Sequence, residues 1–203
     1  MNRQDAKAAK RNLISDSKPE TENLEPGTRN PERERRADRI EPLAEADVER
    51  LTALAREIWY AHYPAIIGAA QIEYMLGQRY NLEAVQAELR QSGLWWDKLV
   101  VGAEMAGFAS YYLTPVAGEM KLDKLYVHPR HQRHGYGGRM IERVCRVARA
   151  QNCSRLVLAV NKNNRSAIDA YLKYGFSVAD AVVKDIGGGF VMDDYLMEKP
   201  VTK

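Results

Sequence analysis

Between Leu125 and Met140 the chain reads LYVHPRHQRHGYGGRM, and this stretch restricts the fold more than any other. Strand-forming residues give way to a glycine-rich turn, and an amphipathic pattern then runs from Gly137 to Ala150. A strand that enters a helix through such a turn leaves several main-chain N–H groups without intrahelical acceptors, at the positive end of the helix dipole. Those groups suit a phosphate or diphosphate. Gly135 and Gly137 let a ligand approach the backbone closely. Arg130, Arg133, His134 and Arg139 surround the turn with cationic or switchable side chains. The segment is not a P-loop, because no Gly-Lys-Ser/Thr closes it. It is not a dinucleotide fingerprint either, because the third glycine and the spaced acid are missing. A plain connection between a strand and a helix also accounts for the glycines.

The rest of the chain supplies a mixed sheet around this unit. RIEPL, from Arg39, reads as a short strand. Val48, Leu51, Leu54, Ala55, Ile58 and Trp59 recur at helical spacing within Glu45–Tyr63, and Pro64 ends that helix. Further helices are expected over Ala69–Arg79 and Leu82–Gln91. WWDKLVVGA and MAGFASYYL read as a hairpin with its turn at Glu104–Gly107, followed by a strand over Glu119–Val127. Then come a helix from Gly137, a strand over Arg155–Val160, a helix over Arg165–Tyr174, and two strands, Val178–Asp185 and Phe190–Glu198. The order predicts an α/β (α+β) fold, a mixed central sheet of six to seven strands flanked by helices.

Residues 1–38 differ in kind. They hold no aromatic residue, three prolines and dense, nearly balanced charge, so they cannot bury enough apolar surface to offset the entropy of ordering. A disordered tail is expected there and a single domain over residues 39–203. The start lacks the apolar core of a secretory signal, and Asp5 and Asp16 count against a transit peptide. No apolar run approaches the roughly 20 residues a membrane span needs. The net charge of +3 is too small to call for a nucleic-acid partner. Cys145 and Cys153 form no metal-binding spacing, and a cytoplasmic protein without disulfides is expected. His128, His131 and His134 bunch on one turn without a suitably spaced carboxylate, so no metal site is expected.

Gln132-Arg133-His134-Gly135-Tyr136-Gly137 resembles the Q/R-x-x-G-x-G/A signature of the GNAT acetyltransferase superfamily. Further on, Asn164, Ala167, Tyr171 and Gly175-Phe176 resemble its second signature, N-x-x-A-x-x-x-Y-x-x-x-G-F. The two occur in order with a strand between them, and the resemblance covers about Arg39 to Pro200. EIWYAHYPAIIGAAQIEYML and DIGGGFVMDDYLMEKP are similar to the branch related to bacterial spermidine/spermine acetyltransferases.

The resemblance implies a GNAT fold and acetyl transfer from acetyl-coenzyme A to an amine, with a small amine or polyamine as acceptor. It implies coenzyme A contacts from Leu125, Val127, Gln132, Arg133, His134, Gly135, Tyr136, Gly137, Gly138, Asn164, Ala167 and Tyr171. It implies that Tyr171 is the general acid for the departing thiolate. It also implies a bulge in the strand Lys124–Val127 that frees a main-chain N–H, that of Val127. Asn164 suits a helix N-cap on residue type alone. Glu119, Lys121, Asp123, Leu125 and Val127 alternate onto one strand face. Several relatives carry a glutamate where this chain has Lys121, which leaves Asp123 and Glu119 as the catalytic carboxylates, or as partners of nearby lysines. Trp59, Tyr60, His62 and Tyr63, with Asp193 and Asp194, offer an aromatic and acidic wall for a cationic amine. A protein or peptide acceptor, a catalytically silent coenzyme A sensor and a homodimer pairing through terminal strands stay open.

Overall fold

A computed structural model of the chain describes residues 38–201. The tail read over residues 1–38 lies, apart from Asp38, outside the described residues.

The first strand, β1, is Arg39–Pro42. Helix α1, Val48–His62, follows a single 3-10 turn and buries Val48, Leu51, Leu54, Ala55, Ile58 and Trp59, the stripe its spacing predicts. Pro64 lies in the 3-10 turn that ends it. Helix α2 is Ala69–Arg79. Helix α3, Leu82–Leu89, starts where the Asn81 side chain accepts a hydrogen bond from the Ala84 N–H.

Strands β2 (Leu94–Val101) and β3 (Glu104–Leu113) form a hairpin. Its turn is at Gly102-Ala103, not at Glu104–Gly107. Gly102 adopts φ +61°, the left-handed conformation a two-residue turn needs. Gly107 instead sits inside β3, where an added Cβ would lie 2.4 Å from the Tyr126 carbonyl oxygen.

Strand β4 is Glu119–Val127, helix α4 Tyr136–Ala150, strand β5 Arg155–Asn161 and helix α5 Arg165–Lys173. The last hairpin joins β6 (Ser177–Gly187) to β7 (Phe190–Pro200). All seven strands form one mixed sheet in the order β1-β2-β3-β4-β5-β7-β6.

Each sheet face carries a core. Helices α1–α3 cover one face through Leu51, Ile72, Val85, Trp96 and Phe108. Helices α4 and α5 cover the other through Met140, Val144, Ile168, Tyr111, Met120 and Leu156. Arg143 ties α4 to the sheet through buried Asp97, which also accepts the Tyr111 hydroxyl at 2.7 Å.

Two irregularities open the sheet. Strands β4 and β5 run parallel and pair at three positions, Glu119 with Arg155, Met120 with Leu156 and Lys121 with Val157. Beyond Lys121 they part. On the other side of β4, Ser110 pairs with Lys124 but Tyr111 pairs with Leu122, so Asp123 is an extra, bulged residue. The bulge reverses the alternation. Met120 and Leu122 face the α4–α5 core, and so do Leu125 and Val127 after it, while Tyr126 faces the α1–α3 core. Glu119, Lys121 and Asp123 therefore do not share a face with Leu125 and Val127, as unbroken alternation had them. The bulge itself was expected, but one residue further along the strand.

Candidate functional site

The wedge between β4 and β5 ends at the glycine-rich turn. Arg133 (φ +68°) and Gly135 (φ +81°) are both left-handed, a pattern that turns successive N–H groups toward one concave side. For Arg133 that conformation is strained, and such strain gathers at ligand clamps. The main-chain N–H groups of Arg133, His134, Gly135, Tyr136, Gly137 and Gly138 meet no hydrogen-bond acceptor among the described residues. A Cβ added at Gly135 or Gly137 would touch nothing within 4 Å, so the space over the turn is open. Free donors, open space and the helix dipole together fit a diphosphate.

The side chains of the turn do other work. Gln132 Nε2 donates to the Val127 carbonyl at 2.9 Å and holds the turn to β4. His134 Nδ1 lies 2.8 Å from the Gln132 carbonyl oxygen. Tyr136 is buried in the α4–α5 core, and its hydroxyl donates to Asp38 at 2.6 Å. Arg139 Nη2 donates to the Asp38 carbonyl, so two residues of α4 clasp the start of β1. Gly138 is small for packing, because a Cβ there would lie 2.5 Å from the Tyr174 ring. For Tyr136 and Gly138 only the main chain remains for a ligand.

Along the wedge, β4 presents its own donors. The His128 N–H bonds to the Ala106 carbonyl on β3, and main-chain groups alternate sides along a strand. Leu125 and Val127 therefore aim their N–H groups away from β3, into the wedge, where no β5 residue pairs with them.

The opposite wall is α5. Asn164 is buried, and its Oδ1 accepts from the Ala167 N–H, which caps the helix. The same oxygen lies 3.1 Å from His62 Nε2, so the end of α1 reaches α5 across the sheet opening. Ala167 packs against the α4–α5 core. One turn on from Ala167, Tyr171 packs edge-on to Phe176 at 5.5 Å between ring centroids, and its hydroxyl meets no partner among the described residues. Burial, aided by the Tyr63 phenol, pushes the Tyr171 hydroxyl well above the usual tyrosine range. Tyr171 thus keeps its proton at neutral pH.

An aromatic group fills the α1–α3 side. Trp59 packs on Tyr63 at 4.4 Å and on Tyr80 at 5.5 Å, and Tyr126 lies beside all three. The Tyr63 and Tyr126 hydroxyls are 3.4 Å apart. Burial pushes both phenols up. Of the residues read as an acceptor wall, His62 and Tyr63 reach the opening and Trp59 backs them from the core. Tyr60 does not. It is exposed and turns toward Arg56 and Glu73 on the outer side of α1.

Both carboxylates read on β4 are held in ion pairs. Glu119 sits at the closed end of the wedge, held by Arg155 at 2.6 Å and by the Thr114 hydroxyl. Asp123 is half-enclosed by Arg79 and by Lys124, whose Nζ lies 2.8 Å away. Burial alone would raise its pKa, but Lys124 and Arg79 outweigh burial and hold it down at about 2. Lys121 lies over the Tyr112 ring.

On β7, Asp193 pairs with Lys162, while Asp194, opposite Asn161 at the end of β5, keeps one buried carboxylate oxygen without a partner among the described residues. The sequence offered Asp194 only as one of two neighbouring acids. The Arg79 contact to Asp123 and the Asp38 clasp carry no local signal, since each joins residues far apart in the chain.

The profile described as the acetyltransferase (GNAT) family matches residues 48–176. The spermine/spermidine N(1)-acetyltransferase of Bacillus subtilis is 31% identical over 86 residues, covering 41% of this chain and 57% of that protein. The thialysine N-epsilon-acetyltransferase of Sus scrofa is 34% identical over 77 residues, 36% of this chain and 45% of that one. The chain spans about half the length of these curated relatives. Among solved structures, the PaiA N-acetyltransferase of Thermoplasma acidophilum in complex with coenzyme A superposes with a TM-score of 0.70. It is 23% identical, and the match covers 81% of this chain and 99% of that one. Ard1 of Thermoplasma volcanium matches with a TM-score of 0.64 at 19% identity, over 82% and 99% of the two chains. Shared architecture, the two signatures in place on α4 and α5, and a profile match over most of the folded part converge: this chain belongs to the acetyltransferase (GNAT) family.

Proposed function

We propose that the protein transfers an acetyl group from acetyl-coenzyme A to the primary amine of a small amine or polyamine, by direct attack. One observation carries the reading: the N–H groups of Arg133–Gly138 meet no acceptor among the described residues, on the turn that follows β4 where it has parted from β5. The family membership and the named activities of the polyamine and thialysine relatives support it.

The turn from Gln132 to Gly138 holds the diphosphate through its main chain. The N–H groups of Leu125 and Val127 hold the pantetheine arm and the thioester carbonyl, with charge on the carbonyl oxygen stabilised as it develops. Asn164 and Ala167 line the same arm from α5. The neutral amine attacks the thioester carbon, the C–S bond breaks, Tyr171 gives its proton to the departing thiolate, and the proton shed by the attacking nitrogen restores the phenol. The raised pKa keeps the Tyr171 proton in place until the sulfur becomes basic. The wall formed by His62, Tyr63 and Tyr126 excludes water and orients the amine.

A mass-spectrometric screen of amines and peptides with acetyl-coenzyme A tests the reading. Acetylation of small amines, with thiol released in equal amount, is the expected result. Acetylation of peptides alone would move the acceptor to protein, and binding without turnover would make the chain a sensor.

The protein is further proposed to be a cytoplasmic homodimer. Cys145 and Cys153 are buried free thiols, in keeping with a reducing compartment. Among the described residues strand β6 pairs only with β7, and it exposes Val178, Val182 and Val183, an open edge of the kind that recruits a second strand. Antiparallel pairing of two β6 strands about Val182 sets Asp180 opposite Lys184 of the partner subunit, so the edge is complementary to itself.

A further inference from the structure

Asp194 is out of place as a structural residue. Its Oδ1 is buried without a hydrogen-bond partner among the described residues, although buried carboxylates in folded proteins are nearly always paired. The neighbouring Asp193 shows the ordinary solution, an ion pair with Lys162. Asp194 lies on β7 opposite Asn161, where β5 ends and the loop to the Asn164 cap begins. Tyr195 packs on the α4–α5 core, so alternation along β7 sets Asp194 on the other face, the side of α1 and Tyr63.

Tyr63 lies near enough to Asp194 to feel its charge, and Tyr63 acts on Tyr171 in the same way. Tyr63 and Tyr126 supply aromatic surface beside Trp59, whose ring keeps a buried Nε1 without a partner among the described residues. An unpaired carboxylate beside aromatic rings is the chemistry that recognises an alkylammonium group. The other charged groups facing Asp194 are Asp193 on β7, Lys162 after β5 and Lys121 on β4, and burial raises its pKa.

Resting on the acetyltransferase reading, we infer that Asp194 is the acceptor-recognition residue of this site, pairing its buried oxygen with a cationic nitrogen of the incoming amine. Specificity for cationic amines over neutral ones then comes from β7 rather than from β4. Asp123 is already paired with Arg79 and Lys124, whereas Asp194 has no such cation bound to it among the described residues.

The test is calorimetric titration of spermidine into the full chain saturated with coenzyme A, with coenzyme A affinity measured separately. Asp194→Asn is expected to weaken spermidine binding at least about tenfold, one favourable ion pair in a partly dry site. Coenzyme A affinity should hold within about twofold by the additivity of distant sites. Asp193→Asn serves as the neighbour control and should change spermidine binding by less than about threefold, as an exposed pair does. The melting temperature separates recognition from structure. A residue kept for a ligand leaves the free protein no less stable when replaced, whereas a structural carboxylate lowers it. Unchanged spermidine binding in Asp194→Asn, or a lower melting temperature with the loss of binding, overturns the inference. Absence of spermidine binding to the unaltered protein overturns it too, and coenzyme A affinity then shows whether the acetyltransferase reading survives.

Discussion

His62 Nε2 and Asn164 Oδ1 lie 3.1 Å apart although 102 residues separate them, and that contact joins the end of α1 to the first turn of α5. The oxygen already caps α5 through the Ala167 N–H. Asn164→Ala should therefore lose the cap, worth about 1 kcal/mol, together with a buried contact of similar size. Urea unfolding should show a lower midpoint with an unchanged slope. kcat/KM for acetyl-coenzyme A should fall as well, because Tyr171 rides on the same helix.

Tyr171→Phe removes one hydroxyl that meets no other group among the described residues, so the fold should be untouched. Turnover should fall about 100-fold or more, the usual contribution of a positioned acid. Affinity for coenzyme A should hold within about twofold, since the lost interaction acts in the transition state. Steady-state kinetics beside calorimetry checks this split, and unchanged turnover would remove Tyr171 from the mechanism.

The adjacent glycines of α4 should behave oppositely. At Gly137 a Cβ meets open space, so Gly137→Ala should leave stability unchanged or raise it by up to about 1 kcal/mol. Coenzyme A binding should nevertheless weaken, because the methyl occupies the space over the turn. At Gly138 the Cβ would strike the Tyr174 ring, and Gly138→Ala should cost about 1–3 kcal/mol of stability. Thermal unfolding with and without coenzyme A distinguishes the two.

Acid should expose the Asp123 cluster. Its carboxyl is held at about 2, below the ordinary range near 4 for an unfolded aspartate. A group depressed in this way stabilises the fold above its unfolded pKa, and the contribution fades as the pH falls toward the folded value. The shift is worth about 2 kcal/mol, lost between about pH 4 and pH 2. Stability against pH should be flatter over that window in Asp123→Asn than in the unaltered protein.

Val182 occupies the centre of the proposed β6 pairing and is partly exposed in the single chain. Val182→Lys would set two like charges across the dyad and should convert a dimer to a monomer. Light scattering after size exclusion reads the outcome, and an unaltered protein that is already monomeric would end the proposal.

The elements readable from sequence were those written in short-range patterns. The stripe from Val48 to Trp59, the glycine turn, the Asn164 cap and both ends of β4 all depend on neighbours within a few positions. The misread features depend on what lies across the sheet. Alternation was carried straight through Asp123, because nothing local distinguishes a bulge from a regular strand. Gly107 was taken for a turn residue, when its partner is the Tyr126 backbone and Gly102 makes the turn. Tyr60 and Tyr63 look alike in the sequence, and only packing sends one to Glu73 and the other to Tyr126. Asp123 pairs with the neighbouring Lys124, a partner the sequence offered, but its second partner, Arg79, is 44 residues away and leaves no local trace.

Only three rungs hold β4 against β5, and past Lys121 the sheet is two panels leaning apart. Whatever fills that gap becomes the keystone between them. A bound thioester carrier would bridge β4, α4 and α5 at once, and mass action would then favour the closed arch over the unfolded chain. Resistance to heat should accordingly climb with ligand concentration, about 2.7 kcal/mol at a hundredfold excess over Kd, which makes melting itself a gauge of occupancy.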